Sequence, residues 1–176
     1  MSSKRNMQII DMLFSKACND LQEGRFPSSI CFLFFVDGYS PLLLERPGNH
    51  YIEFAGGVIS SLSPESYVYI CVNYELNEDG TQGTHYMSAL VVNRDGTNWV
   101  LKRPYETSSG KVNFVSPTIL PSTLDMKITG RAAELYSPLK VPPETEAKMK
   151  AIVNRVSSFL KVSKIPYSQV ATKREQ

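Results

Sequence analysis

The sequence predicts an α+β fold: an N-terminal helix, a mostly antiparallel sheet of six to eight strands, and a C-terminal amphipathic helix. Three observations carry this. Apolar residues recur at three- and four-residue steps near both ends of the chain, they alternate or run together in short blocks between, and turn-forming pairs separate those blocks. Strand runs flanked by helices point to α+β rather than to alternating βαβ units. The simplest arrangement is one sheet with both helices on the same face; a curled sheet or partial barrel is the competing one.

Met7, Ile10, Leu13, Phe14, Ala17 and Leu21 mark the first helix, with Gly24 as its stop and Pro27 blocking continuation. Ser29 to Val36 follows as an apolar strand ending at Asp37-Gly38, with Leu42 to Glu45 as its hairpin partner. Arg46-Pro47-Gly48-Asn49 reads as a turn, Tyr51 to Phe54 as a strand, and Gly56-Gly57 as the bend that ends it. Tyr67 to Leu76 is the clearest long strand. Val68, Ile70, Val72, Tyr74 and Leu76 form its wholly apolar face, expected on the core; Tyr67, Tyr69, Cys71, Asn73 and Glu75 form the other. After the polar loop Asn77 to Thr84, the strands His85 to Val92 and Trp99 to Arg103 flank the hairpin turn Arg94-Asp95-Gly96-Thr97. Lys111 to Val115 and Leu124 to Thr129 read as further strands, joined through Pro117 and Pro121. Pro142-Pro143 with Glu144 and Glu146 opens the last helix, since proline suits the first turn and acids there oppose the helix dipole. Met149, Ile152, Val153, Val156, Phe159 and Leu160 make its apolar stripe, and Pro166 ends it. The stretches 1–5 and 168–176 read as flexible termini of a single domain covering 1–176.

With 176 residues, 42% of them hydrophobic and 20% charged, the chain can bury a core without disulfides or a structural metal. A net charge of +2 is too small for a general nucleic-acid binder. The charge is unevenly placed, however: from Pro143 onward seven basic residues face three acidic ones, a local +4, which leaves −2 for the rest. Lys4 and Arg5 at one end, and Lys148, Lys150, Arg155, Lys161, Lys164, Lys173 and Arg174 at the other, are the candidate contacts for phosphate, whether of lipid or of nucleic acid. The alternative is a solvated helix face. No signal peptide is expected, no N-x-S/T sequon occurs, and the longest apolar run, Ile30 to Val36, is too short to span a bilayer. An intracellular setting is expected: cytoplasm, nucleus or the interior of a virion.

Candidate chemical groups are scattered. His50 and His85 lack a second ligand at metal spacing, so neither a zinc site nor any other cofactor is expected. Cys18, Cys31 and Cys71 show no metal-ligand pattern, and Cys31 and Cys71 lie within apolar runs. Cys71 and His85 would form a hydrolytic pair only if the fold brought them together. Glu53-Phe54-Ala55-Gly56-Gly57 resembles the opening of a Nudix box, but the glutamate-rich helix that should follow is missing, which favours a glycine bend over a phosphate-binding nest. Tyr67, Tyr69 and Tyr86 are candidates for stacking on bases. The repeated Tyr39-Ser40-Pro41-Leu42 and Tyr136-Ser137-Pro138-Leu139 read as turns. No catalytic motif is present, and a binding or assembly protein is expected rather than an enzyme.

The basic start Ser2-Ser3-Lys4-Arg5, the segment Tyr51-Ile52-Glu53-Phe54-Ala55-Gly56, and the late strand Leu124 to Thr129 leading through a proline-rich link to an amphipathic helix together resemble the small matrix proteins of rhabdoviruses, particularly the short ones of plant-infecting members. The long basic arm and the Pro-Pro-x-Tyr motif of animal-virus relatives are missing; Glu144-Thr145 follows Pro142-Pro143. The resemblance implies a non-enzymatic viral structural protein that self-associates and links the nucleocapsid to an anionic membrane surface, in the host cytoplasm or the virion. Two other readings stay open. One is a nucleic-acid-binding module, such as a viral suppressor of RNA silencing, using Lys148, Arg155 and Lys161; the other is a small hydrolase using Cys71 or His85.

Overall fold

The computed structural model describes residues 4–27, 29–42, 51–115, 119–122, 130–137 and 142–170. Helix α1 (Lys4–Gln22) buries Ile9, Ile10, Leu13, Phe14, Ala17 and Cys18 along one stripe. It ends at Gly24, whose φ of +71° glycine adopts without steric cost. Strands β1 (Ser29–Phe34) and β2 (Gly38–Leu42) form a hairpin in which the Phe35 N–H donates to the Gly38 carbonyl at 2.8 Å. The partner strand therefore starts four residues before the expected Leu42, and Tyr39-Ser40-Pro41-Leu42 is strand rather than turn. Among the described residues Gly38 and Tyr39 of β2 have an outer partner and Pro41 lies beyond them, at an edge where proline is tolerated.

Helix α2 (Tyr51–Leu62) replaces the strand expected over Tyr51 to Phe54, and Gly56-Gly57 lies inside it instead of bending the chain. Ala55, Val58 and Ile59, three and four residues apart, are fully buried, and this packing outweighs the helix cost of two glycines. Gly57 is needed for close approach: a Cβ there would overlap the thioether of Met149. Strands β3 (Ser66–Leu76), β4 (Gln82–Asn93), β5 (Asn98–Ser108) and β6 (Lys111–Phe114) form an antiparallel meander, and β7 (Ile119–Ser122) returns to pair with β5. At the β4–β5 turn the Thr97 N–H and hydroxyl donate to Asp95 Oδ1 at 2.9 and 2.6 Å. The expected strand Leu124 to Thr129 and the turn Arg46 to Asn49 lie outside the described residues. A 3-10 turn (Gly130–Ala133) precedes α3 (Pro143–Ser163), which starts at the predicted prolines. After it come β8 (Ile165–Pro166), paired with β2, and a 3-10 turn (Tyr167–Gln169).

The strand order is β6-β5-β4-β3-β1-β2-β8 in one eight-stranded sheet. The sheet is curled. Phe114 of β6, near one edge, and Tyr39 of β2, near the other, both pack into the cluster that α1 fills with Val68, Ile70, Met87, Ala89, Val91 and Leu101. The opposite face carries Cys31, Leu33, Tyr67, Leu90, Val92 and Val100 against Ala55, Val58 and Ile59 of α2 and Val156 and Leu160 of α3. The terminal helices thus cover opposite faces, not the same one. The reason is Tyr67: a tyrosine expected on an outer face is fully buried, because its hydroxyl has partners there. It donates to the Ala132 carbonyl at 2.7 Å and accepts the Leu135 N–H at 3.2 Å. Tyr67→Phe would leave both backbone groups unpaired, at about 1–3 kcal/mol. Chemical denaturation should register that loss, while the half-exposed Tyr74→Phe should change stability by less than about 0.5 kcal/mol; equal effects would contradict this arrangement.

Candidate functional site

The predicted basic residues have divergent fates. Lys4 and Arg5 belong to α1 rather than to a loose end. The Arg5 guanidinium lies 3.6 Å from the centroid of the Tyr167 ring. Tyr167 is itself buried; its hydroxyl donates to the Phe35 carbonyl at 2.8 Å and its N–H to the Asp37 carbonyl at 3.1 Å. Lys164 forms an ion pair with Asp37 and, by hydrogen bonding, holds that carboxyl below the usual carboxylate range. Residues up to Val170, expected as a tail from 168 onward, are therefore clasped to the β1–β2 turn. Gly38 makes room for the clasp, since a Cβ there would overlap the Ile165 carbonyl. Arg5 and Lys164 serve this clasp, and Lys173 and Arg174 lie outside the described residues.

The remaining four cations, Lys148, Lys150, Arg155 and Lys161, are exposed on α3. At about 100° per residue they straddle the buried stripe of Met149, Val156 and Leu160. Lys150 and Lys161 fall on one flank, Lys148 and Arg155 on the other. The trio of Lys148, Arg155 and Lys161 is therefore not assembled on one face. Phe159 and Val162 share the flank of Lys148 and Arg155, and they are 46% and 88% exposed. Phe159 was expected in the buried stripe; its position, a sixth of a turn or more beyond Val156, turns it outward. Beyond the end of α3, Ile165 is also exposed, as is Val36 in the turn that Lys164 grips, at 74%.

A second exposed apolar group lies at the other end of β3. Ser66 is paired with Phe34, next to the β1–β2 turn, whereas Tyr74 and Leu76 are roughly 30 Å away at about 3.3 Å per residue. Tyr74 and Leu76 are 47% and 67% exposed. From Tyr74 an aromatic row crosses four strands: ring centroids are 5.9 Å apart for Tyr74 and His85, 5.7 Å for His85 and Tyr105, and 5.8 Å for Tyr105 and Phe114. Only strand register produces this row, which is why the sequence spacing does not display it.

The other candidates are not brought together. Cys71 is opposite Ser88 and His85 is opposite Tyr74, so the thiol and the imidazole project from opposite faces of the sheet. Tyr67 is beneath the helices and Tyr69 is half-buried, so with Tyr86 they form no open stacking platform. The backbone at Gly56-Gly57 is helical, not a phosphate-binding nest. His50 lies outside the described residues, and among the described residues no group of three or more His, Cys, Asp or Glu side chains could hold a metal ion. No helix among them is long and apolar enough to cross a membrane. The chain matches no protein-family model, and no curated protein or solved structure is significantly similar to it.

Burial pushes the Cys71 thiol up to about 11. Iodoacetamide at pH 8 should therefore modify Cys71 about a hundredfold more slowly than a free cysteine, with the rate still climbing through pH 10. A rate that levels off near pH 9 would contradict the burial described.

Proposed function

We propose that the protein is a non-enzymatic assembly protein of matrix type, which self-associates and docks peripherally on an anionic membrane surface. The observation that carries this is the flank of α3 on which Phe159 and Val162 are exposed beside Lys148 and Arg155. Apolar side chains that enter the headgroup boundary, next to cations that meet lipid phosphate, are the elements of interfacial binding. Self-association draws support from the placement of the two exposed apolar groups. Val36, Val162 and Ile165 are near one end of β3, Tyr74 and Leu76 at the other. A patch at each end suits head-to-tail contacts, which build open arrays rather than closed dimers. The expected setting is the host cytoplasm or the interior of a virion, with the viral nucleocapsid as the further partner.

Co-sedimentation with phosphatidylserine vesicles tests the membrane contact. Each cation near the surface contributes about 1 kcal/mol, so Lys148→Gln with Arg155→Gln should weaken binding about thirtyfold. Phe159→Ser with Val162→Ser should weaken it further without unfolding the protein, both side chains being exposed. Light scattering tests assembly: particle size should grow with concentration, and Tyr74→Ser with Leu76→Ser should halt that growth. A chain that stays monomeric and ignores vesicles would rule the proposal out. Salt-sensitive RNA retardation without vesicle binding would favour the nucleic-acid reading instead.

A further inference from the structure

On the face of the sheet covered by α2 and α3, the inner half of the β3–β4–β5 meander is packed against the helices, but the outer half is not. Between them lies a cavity of about 170 Å³ lined by Ile52, Tyr69, Cys71, Asn73, Ser88, Leu90, Val100, Lys102 and Ala132. Register orders this lining in rows. Tyr69, Leu90 and Val100 are cross-strand neighbours and form an apolar floor toward the core. Two residues farther out, Cys71, Ser88 and Lys102 form the next row, and Asn73 follows beside Tyr86. Ile52 of α2 and Ala132 of the 3-10 turn add to the apolar wall. The cavity thus has an apolar inner end and a polar outer end.

The polar end presents hydrogen-bond donors. The buried Ser88 hydroxyl donates to Asn73 Oδ1 at 3.0 Å, which occupies that oxygen. The Asn73 amide N–H group is left with only the weak contact to Cys71 Sγ at 3.9 Å. The Lys102 ammonium rests 5.3 Å from the centroid of the Tyr86 ring, and no carboxylate among the described residues pairs with it. One cation and one amide, with no acidic side chain among the described lining residues, complement a ligand head bearing a single negative charge and acceptor oxygens. The volume limits the rest of the ligand. Drug-sized molecules need pockets of about 300 Å³ or more, whereas an apolar cavity of about 150 Å³ accommodates benzene.

We propose that this cavity is a binding site for a small monocarboxylate whose apolar body is about the size of one aromatic ring. The body lies against Tyr69, Leu90 and Val100, and the carboxylate meets Lys102 and the Asn73 amide. The site is separate from the exposed flank of α3, so it stands or falls independently of membrane docking.

Benzoate on the full chain tests the proposal, with benzyl alcohol as its uncharged counterpart. Cys71 lines the cavity, whereas Cys18 and Cys31 are buried elsewhere, so protection of Cys71 from alkylation reports occupancy. Benzoate should slow Cys71 alkylation saturably and bind at least about tenfold more tightly than benzyl alcohol, the margin of one charged hydrogen bond. Lys102→Met should remove that preference while benzyl alcohol still protects, which shows that the cavity is intact; Lys102→Arg should keep it, and Lys161→Met should leave it unchanged. The proposal is overturned if neither compound protects Cys71, or if both protect equally and Lys102→Met changes nothing.

Discussion

The structure depends on one constraint: the first half of β3 is buried on both faces. Val68 and Ile70 face α1, while Tyr67 faces α2 and α3, and all three are fully inaccessible. A strand with only one apolar face could have left the other to water. Here Tyr67 commits the second face to a helical layer, because its hydroxyl is satisfied only where the segment Ala132–Leu135 is held against it. Each side needs its own cover: α1 fills one face, and α2 with α3 fills the other.

The same strand also explains where binding surfaces remain. Among the described residues β1 pairs with β3 as far as Cys71, and beyond it β3 has β4 as its one partner strand. The helices likewise cover the inner half. The outer half carries the aromatic row on one face and the cavity with Lys102 on the other, while its end exposes Tyr74 and Leu76. At the opposite end the C-terminal clasp binds Arg5 and Lys164 into the fold, which leaves α3 to present Phe159 and Val162 with its cations. Charge at the chain ends is thus divided between holding the fold and facing outward.

Much of the fold was legible where local chemistry and packing agree. Helix α1, strands β3 to β6, the Asp95-Gly96 turn and the proline start of α3 follow from periodicity and turn residues. Elements set by tertiary contact were not. α2 contains two glycines that lower helix propensity, and only Met149 packed on Gly57 accounts for one of them. β2 includes a proline acceptable only at an edge, and the segment after Pro166 is ordered by Asp37 and Phe35, more than a hundred residues earlier. The candidate sites were harder still. Cys71, Ser88 and Lys102 become neighbours through strand register alone, as do Tyr74, His85, Tyr105 and Phe114. The basic count in the C-terminal segment was visible, but whether its members share a face depends on their angles around α3.

Native-state hydrogen exchange tests the doubly buried inner half of β3 most directly. The amides of Ile70 and Leu90, each in a strand paired on both sides, should exchange only through global unfolding, while those of Asn73 to Leu76 should exchange through local openings several kcal/mol lower. If Ile70 and Leu90 exchanged as readily as the outer residues, or if Tyr67→Phe left their protection unchanged, the two-faced core described for this sheet would be wrong.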